Sequence, residues 1–357
     1  QGGRKGPATV GRSHRAVMSL RRSADWRDQA AAELMSGVLH RAEIRGNVLV
    51  MLENLPAVTT AVIEAGGRAH SWHRLAREGR SASAWTPEGP FQAATLRLPK
   101  AKDELDMAVH AAASVLEVGA PLWVYGANDE GAGSAGRIIE PLMGPARTVG
   151  SGGRSRVLEA VRPVDAPSPR GTLAEWRRST SLEFPAGPRE WTSYPGIFSH
   201  GRLDAGTRAL LEVMGRLPAA GRRVLDFACG SGVIGAFLSA LEPTARLDFL
   251  DVDALALVAV SENVPGARLI LSDGFDALEQ ERYALIVSNP PYHEGKEQTG
   301  YVIERLVRGA PDHLESDGSL VLVTQRRLRL ATLMESTFGT VDVLLDAGPH
   351  RVWFGGK

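Results

Sequence analysis

The chain has 357 residues, enough for two domains, and its 41 basic residues balance 41 acidic ones, which argues against indiscriminate nucleic-acid binding. It contains no run of 18 apolar residues, so it predicts no membrane span, and no apolar segment of a signal peptide follows its basic start. A single cysteine excludes an internal disulfide and fits a reducing, cytoplasmic compartment, and the nine histidines show no metal-ligand spacing, so we expect no metal.

Residues 1–29 predict a basic, disordered leader that is rich in Arg, Gly and Ser and has little periodicity. Eight Arg or Lys residues lie between Gln1 and Arg41, against three acidic residues. Such an arm can neutralise nucleic-acid phosphates, or it can be a solvated segment that aids solubility. The sequence leaves both interpretations open.

Residues 30–165 predict a first globular domain. Short apolar or alternating runs at 47–52 and 94–98 are typical of strands, the run 102–118 has apolar residues at helical spacing, and residues 121–125 begin another strand. Residues 166–195 follow as a proline-rich linker, part of which is compatible with a hairpin or a lid.

Residues 196–357 predict a second domain in which strands alternate with helices. Strands are predicted at 224–228, 245–250, 269–272, 284–288 and 319–324, and helices at 233–241, 254–263 and 304–314. This alternation predicts an α/β fold with a parallel sheet that helices cover on both faces. The segments 341–345 and 351–354 predict a closing antiparallel pair.

A turn with two glycines follows the first strand of this second domain, between Asp226 and Gly232. Gly230 and Gly232 lack a Cβ atom, so the backbone there can take positive φ and approach a ligand closely. Open α/β sheets bind nucleotides at this end of their strands. The spacing does not match the dinucleotide fingerprint, and a plain strand-to-helix turn is the alternative interpretation.

Acidic residues follow the next two strands. Asp251, with Asp253 as the alternate, lies about 20 residues beyond the glycine turn and is suited to accept hydrogen bonds from ribose hydroxyls. Asp273 is suited to accept from an adenine amino group, with Phe275 packed on the ring. The alternatives are a helix cap at residues 251–253 and an Asx turn at Asp273.

The letters SNPPYH at positions 288–293 follow an apolar strand and predict the reacting site. Pro290 and Pro291 fix φ and stiffen the turn. The side-chain oxygen of Asn289 and the backbone oxygen of Pro290 can then accept from one NH₂ group, while Tyr292 stacks on the flat group that carries it. Two acceptors favour a pyramidal nitrogen whose lone pair faces a methyl donor, so no strong base or metal is required.

Four stretches of the second domain resemble the ribosomal RNA small-subunit guanine-N2 methyltransferases, a class I family that uses S-adenosylmethionine. They are the letters PGIFS and LDAGT within 195–207, the turn 226–232, the loop NPPYHEG at 289–295, and the helix and strands from residue 308 onward. With the residues above, the resemblance implies S-adenosylmethionine as the cofactor and these cofactor-binding candidates: Phe198, Ser199, Asp204, Thr207, Asp226, Ala228, Gly230, Gly232, Asp251, Asp273, Gly274, Phe275 and Asn289. The catalytic candidates are Asn289, Pro290, Pro291 and Tyr292, and the substrate-binding candidates are Tyr292, His293, Arg326 and Arg327.

The first domain also fits this family, whose members are duplicated. The letters LPKAK at 98–102 and WVYGANDEG at 123–131 resemble its first domain, a methyltransferase-like domain that has lost its cofactor site. Leu98 is predicted to stand where the second domain has Asn289, so the residue that grips the amine is absent. The resemblance spans residues 40–357 and implies two tandem Rossmann-like class I methyltransferase domains, the N-terminal one degenerate.

The resemblance implies methylation of the N2 amine of a guanine in small-subunit (16S) ribosomal RNA. The expected partner is ribosomal RNA or the small ribosomal subunit, with no membrane, and the expected state is a monomer. Tyr292 replaces the more usual Phe, and the same Asn-Pro-Pro-Tyr form occurs in enzymes that methylate adenine N6 or a protein glutamine. The alternatives are therefore N-methylation of tRNA or DNA adenine or of a protein glutamine, or a non-catalytic RNA-binding protein.

Overall fold

The structure is a computed structural model that describes residues 26–77, 79–217, 219–291 and 295–357. The first domain has helices α1 (Trp26–Leu39), α2 (Ala57–Glu64), α3 (Lys102–Val115) and α4 (Gly136–Met143), and strands β1 (Asn47–Met51), β2 (Arg68–Trp72), β3 (Ala93–Arg97), β4 (Pro121–Ala127), β5 (Arg147–Gly152) and β6 (Ser155–Val161). The strand order is β2-β1-β3-β4-β6-β5. The strands β2, β1, β3 and β4 are parallel to one another, while β6 and β5 form the antiparallel end.

Helix α1 begins at Trp26, so the boundary predicted for the leader at residue 29 lies inside this helix. The helix belongs to the first domain because its buried face, which includes Ala31, Met35 and Leu39, packs into the apolar cluster around β1 and β4. Residues 1–25, which contain most of the basic arm, lie outside the described residues.

The segment predicted as a linker contains a packed hairpin of β7 (Arg178–Phe184) and β8 (Gly187–Ser193). Trp191 is fully buried between the hairpin and the second domain, and its indole N–H donates to the Ser231 hydroxyl at 2.9 Å. The Asn263 amide bonds the backbone of Thr192 in both directions. Residues 178–193 are therefore a fixed part of the second domain rather than a free linker, because their apolar side chains are buried there.

The second domain has helices α5 (Ala205–Leu211), α6 (Val233–Leu241), α7 (Ala254–Asn263), α8 (Gly295–Gly309) and α9 (Ala331–Glu335). Its strands are β9 (Arg223–Phe227), β10 (Arg246–Asp251), β11 (Arg268–Leu271), β12 (Tyr283–Ser288), β13 (Leu314–Gln325), β14 (Thr340–Ala347) and β15 (His350–Gly356). The order is β11-β10-β9-β12-β13-β15-β14, with five parallel strands and an antiparallel end. The predicted α/β fold with a parallel sheet and a closing antiparallel pair is confirmed.

The burial of β12 and the end of α8 follow directly from the residues at these positions. Every residue of β12 is buried because helices cover both faces of the central strands. Helix α8 ends at Gly309, earlier than the predicted end at Leu314, because the next residues form a short 3₁₀ turn that contains Pro311. Leu314 is instead the first residue of β13.

The two domains repeat one backbone plan. Leu52 directly after β1 and Ala228 directly after β9 both have positive φ, at 56° and 55°. Five residues further on, helices α2 and α6 begin at Ala57 and Val233. The carboxyl ends of β1, β2 and β3 and of β9, β10, β11 and β12 border one cavity, which contains the candidate site described below. No helix in the described ranges is long and apolar enough to cross a membrane.

Candidate active site

A cavity of about 1010 Å³ lies between the two domains. Its walls include segments that follow β1, β2 and β3 of the first domain and β9, β10, β11 and β12 of the second. Ten of the predicted site residues line it: Phe198, Ser199, Asp204, Thr207, Ala228, Gly230, Asp251, Asp273, Asn289 and Pro291. The predicted residues that do not line it are Asp226, Gly232, Gly274, Phe275, Pro290, Arg326 and Arg327. Tyr292 and His293 lie outside the described residues.

The glycine turn after β9 has positive φ at Ala228, Gly230 and Gly232. A Cβ atom at Gly230 would meet no atom within 4 Å, so this residue leaves open space beside the cavity that it lines. A Cβ atom at Gly232 would lie 3.1 Å from a Val260 methyl group. Gly232 is therefore required for packing of the turn, whereas Gly230 presents the backbone to the cavity.

Asp226 lies beneath this turn, away from the cavity, and is fully buried. One of its oxygens accepts from the Gly235 amide at 2.8 Å, and its other oxygen, Oδ1, has no partner among the residues that the structure describes. Burial is the main cause that raises the pKa of Asp226 well above its ordinary value. In the structure Asp226 therefore supports the start of α6 and does not line the cavity, and its contact with the cofactor stays a prediction.

Asp251 at the end of β10 is buried yet lines the cavity. One oxygen accepts from the Gly230 amide at 2.8 Å and the other from the Asp253 amide at 2.9 Å. Burial and the nearby charge of Asp253 raise the pKa of Asp251 to about 6. Each carboxylate oxygen keeps a further lone pair, so the group can also accept from hydroxyl groups of a ligand.

The loop after β11 separates two residues that were predicted to act together. Asp273 lines the cavity and accepts from the Arg305 guanidinium at 3.0 Å. Phe275 does not line the cavity and packs, partly buried, against the core, with its ring 4.8 Å from that of Phe227 and stacked at 4.7 Å on His313. This packing argues against the predicted contact of Phe275 with an adenine. Arg305 on α8 was missed because its role depends on a contact across 32 residues.

Asn289 follows β12 and is held by the start of α5. Its Nδ2 group donates to Asp204, at 3.2 and 3.3 Å to the two carboxylate oxygens, and to the Thr207 hydroxyl at 3.0 Å. Because the carboxylate only accepts, this contact fixes which atom of the amide is nitrogen. The Asn289 Oδ1 atom is buried and has no protein partner among the described residues. A Cβ atom on Gly206 would come within 3.3 Å of that oxygen, so glycine permits this close packing.

Three other predicted residues occupy different positions. Phe198 is 43% exposed at the cavity wall, beside Ser199, whose φ is positive. Arg326 and Arg327 follow β13 at the same edge of the sheet, away from the cavity lining. Arg326 forms an ion pair with Asp346 at 3.2 Å, so part of its charge is compensated.

The first domain has lost the residues that form this site in the second. The segments 47–57 and 223–233 correspond without a gap, so Val50, Asn54 and Pro56 occupy the positions of Asp226, Gly230 and Gly232. The strand registers then place His73 at the position of Asp251 and Arg97 at the position of Asn289.

The predicted equivalence of Leu98 and Asn289 was therefore wrong by one residue, because register depends on strand pairing that a sequence does not show. Arg97 pairs with Asp28 and Glu130, at 2.8 and 2.7 Å. This ion-pair cluster therefore stands at the strand end that corresponds to Asn289 in the second domain.

Comparisons with known proteins agree with this architecture. The family model "Methyltransferase small domain N-terminal" matches residues 50–179, and "Methyltransferase small domain" matches residues 189–353. The ribosomal RNA small subunit methyltransferase C of Stutzerimonas stutzeri is 34% identical over 335 residues, which cover 88% of this chain and 96% of that protein. The protein of the same name from Ectopseudomonas mendocina is 35% identical over 326 residues, 90% and 96% of the two chains.

A solved structure shares the two-domain fold. It is that of the T. thermophilus 16S rRNA N2 G1207 methyltransferase in complex with AdoMet and guanosine, with a TM-score of 0.77 and 24% identity, covering 90% of this chain and 91% of that one. The predicted arrangement of two methyltransferase-like domains is thereby confirmed. From its similarity to both curated relatives along nearly their whole length, the chain belongs to the ribosomal RNA small subunit methyltransferase C family.

Proposed function

We propose that this chain transfers a methyl group from S-adenosylmethionine to the N2 amine of a guanine in 16S ribosomal RNA, as a cytoplasmic monomer. The observation that carries the proposal is the Oδ1 atom of Asn289, which is buried at the wall of the cavity and unpartnered among the described residues. The name of the T. thermophilus structure, which specifies N2 of G1207, supports guanine N2 as the target.

The cavity residues of the second domain fit S-adenosylmethionine. Gly230 leaves open space, and Asp251 beside it offers carboxylate oxygens to ribose hydroxyls. Asp273 is suited to accept from an adenine amino group, although it shares its charge with Arg305. The bound cofactor supplies an electrophilic methyl group on a sulfonium. The protein residues around it then need only to hold the target amine in line with that methyl group.

Asn289 performs this task in our proposal. Its Oδ1 atom accepts a hydrogen bond from the target amine, whereas the Pro290 carbonyl, predicted as the second acceptor, belongs to a residue that does not line the cavity. Since Asp204 and Thr207 hold the amide nitrogen, the oxygen cannot turn away without breaking three contacts. Preorganised acceptors of this kind lower the barrier because no reorganisation is needed during the reaction.

RNA as the substrate is supported by two cations at the cavity wall. Lys100 from the first domain and Arg202 from the second are exposed and line the cavity. Neither side chain forms an ion pair with another residue in the described ranges, so both charges are available for phosphates. They stand on opposite domains, which suits an RNA strand that passes over the opening.

The Asn289→Ala variant tests the proposal. It should bind S-adenosylmethionine with near wild-type affinity, measured by calorimetry, and lose nearly all methyl transfer to 16S RNA or to the small subunit. Mass spectrometry of nucleosides from the wild-type reaction with deuterated methyl donor should show N2-methylguanosine. A labelled N6-methyladenosine among the nucleosides, or labelled methylglutamine in a peptide digest of the small subunit, would replace guanine N2 as the target. Full transfer by the variant would contradict the role of Asn289.

A further inference from the structure

A loop of the degenerate first domain is joined to the cofactor side of the second domain. The loop follows β2, and its Ala76 amide donates to the Val252 carbonyl at 2.7 Å. In return, the Ala254 amide donates to the Arg74 carbonyl at 2.8 Å. These two bonds form an antiparallel bridge between Leu75 and Asp253, so the loop after β2 is paired with the residues that follow Asp251.

The Arg74 side chain strengthens this junction from within. It is only 6% exposed, its Nε atom lies 3.1 Å from both oxygens of Asp253, and its Nη1 atom lies 2.9 Å from Glu104. Its Nη2 atom donates to the Gly196 carbonyl at 2.8 Å. A guanidinium that is buried among two carboxylates and a carbonyl fixes the relative positions of all three.

Asp253, which Arg74 holds in place, is hydrogen-bonded to Asp251. The Asp253 amide donates to one Asp251 oxygen at 2.9 Å, while the Asp253 carboxylate caps α7 by accepting from the Leu255 amide at 3.0 Å. Arg74, Asp251 and Asp253 all line the cavity. A displacement of Asp253 therefore displaces the carboxylate that was assigned to the ribose.

We propose that Arg74 is a positioning residue for cofactor binding, through which the first domain holds Asp251 of the second domain in its ligand-accepting position and ionised state. This inference rests on the proposed function, because it assumes S-adenosylmethionine as the ligand. It gives the degenerate domain a direct part in the cofactor site in addition to any contact with RNA.

The charges around Asp251 support this role. Asp253 on its own loop, Asp226 on β9 and the Cys229 thiol on the glycine turn face Asp251, and Glu104 on α3 faces Asp253. Arg74 is a cation that interacts with Asp251 across this acidic cluster. Without it, the pKa of Asp251, already raised to about 6, would rise further, so a smaller fraction of the carboxylate would be ionised near neutral pH.

The test measures S-adenosylmethionine affinity by calorimetry at pH 6.5 and pH 8.5 for wild type, Arg74→Met and Arg97→Met. Arg97 is the matched control, since it has the same 6% exposure and also pairs with two carboxylates, but it does not contact the Asp251 loop. Arg74→Met should weaken binding about tenfold or more at pH 6.5, and the deficit should shrink at pH 8.5. Arg97→Met should bind like wild type.

Three results would overturn the inference: wild-type affinity of Arg74→Met, a deficit that is equal at both pH values, or the same deficit in Arg97→Met. If Arg74→Met does not fold, the Arg74→Met, Asp253→Asn double variant replaces it, because it removes the carboxylate that would be left unpaired. This double variant should still bind S-adenosylmethionine, and its affinity should change less between pH 6.5 and pH 8.5 than that of the wild type. Failure of the wild-type protein to bind S-adenosylmethionine would instead refute the proposed function.

Discussion

The carboxylate of Asp204 determines which end of the Asn289 amide, oxygen or NH₂, is left for the cavity. We expect the substitution Asp204→Asn to reverse this orientation. Asp204 caps α5 by accepting from the amides of Gly206 and Thr207, and it also accepts from the Asn289 amide nitrogen. Asparagine is as good a helix cap as aspartate, so the helix should keep its stability. The new amide would, however, bring an NH₂ group against the NH₂ group of Asn289.

Two facing donors cannot bond, so we expect the Asn289 amide to turn over and to present its NH₂ group to the cavity. The target amine would then meet a donor where it needs an acceptor. The amine becomes positively charged as it is methylated, so loss of its acceptor should cost about 1.5–3 kcal/mol in the transition state, which corresponds to roughly a 10- to 150-fold decrease of the transfer rate. The free energy of unfolding should fall by about 1–3 kcal/mol, because the helix cap is kept but charge-assisted hydrogen bonds from Asn289 and from the Thr207 hydroxyl to Asp204 are lost.

Single-turnover methyl transfer to RNA, together with denaturant unfolding, separates these two effects. Thr207→Ser is the control, because it keeps the hydroxyl that accepts from Asn289 and should retain most of the activity. If Asp204→Asn is as stable as wild type and equally active, the orientation of Asn289 does not depend on this carboxylate. The assignment of the Asn289 oxygen as the acceptor would then lose its structural basis.

Two further predictions concern RNA binding and the glycine turn. Lys100→Ala should reduce the slope of log affinity for RNA against log salt concentration by about 1. The control is Lys102→Ala, which changes an exposed lysine outside the cavity lining and should keep the wild-type slope. Equal slopes of the two variants would contradict a phosphate contact of Lys100. Gly232→Ala should lower the free energy of unfolding by about 2 kcal/mol or more, because the new Cβ atom would combine backbone strain at positive φ with a 3.1 Å contact. Gly230→Ala, which has the strain without the contact, should lower it by about 1 kcal/mol. Equal decreases of the two variants in denaturant unfolding would refute the packing argument.

Local patterns were sufficient to find the parts of the site that lie directly after strands. The turn at Gly230, the carboxylate Asp251 and the loop at Asn289 each follow a recognisable apolar run, and in a parallel sheet such positions meet at one edge. The structure places all three at the same cavity.

Contacts between distant segments could not be predicted in the same way. Arg74 precedes its partner Asp253 by 179 residues, and nothing in the letters around residue 74 marks it as part of a site. The burial of Asp226 and the packing of Phe275 on His313 also depend on which helix covers which strand end. The one-residue error at Leu98 has the same origin, since strand pairing sets the register.

The first domain keeps its methyltransferase-like fold although it lacks the residues of a cofactor site, and the shared cavity gives a reason. In the second domain, the segments after β9, β10 and β12 line the cavity that we assign to S-adenosylmethionine. The corresponding segments of the first domain now contain Asn54, Arg74 and Arg97, which line the shared cavity from the opposite side. Asn54 and Arg97 bond to Asp28 of α1 within their own domain, whereas Arg74 extends across to Asp253 of the other. These strand ends therefore form one wall of the shared cavity, and they keep their positions only while the sheet behind them remains intact.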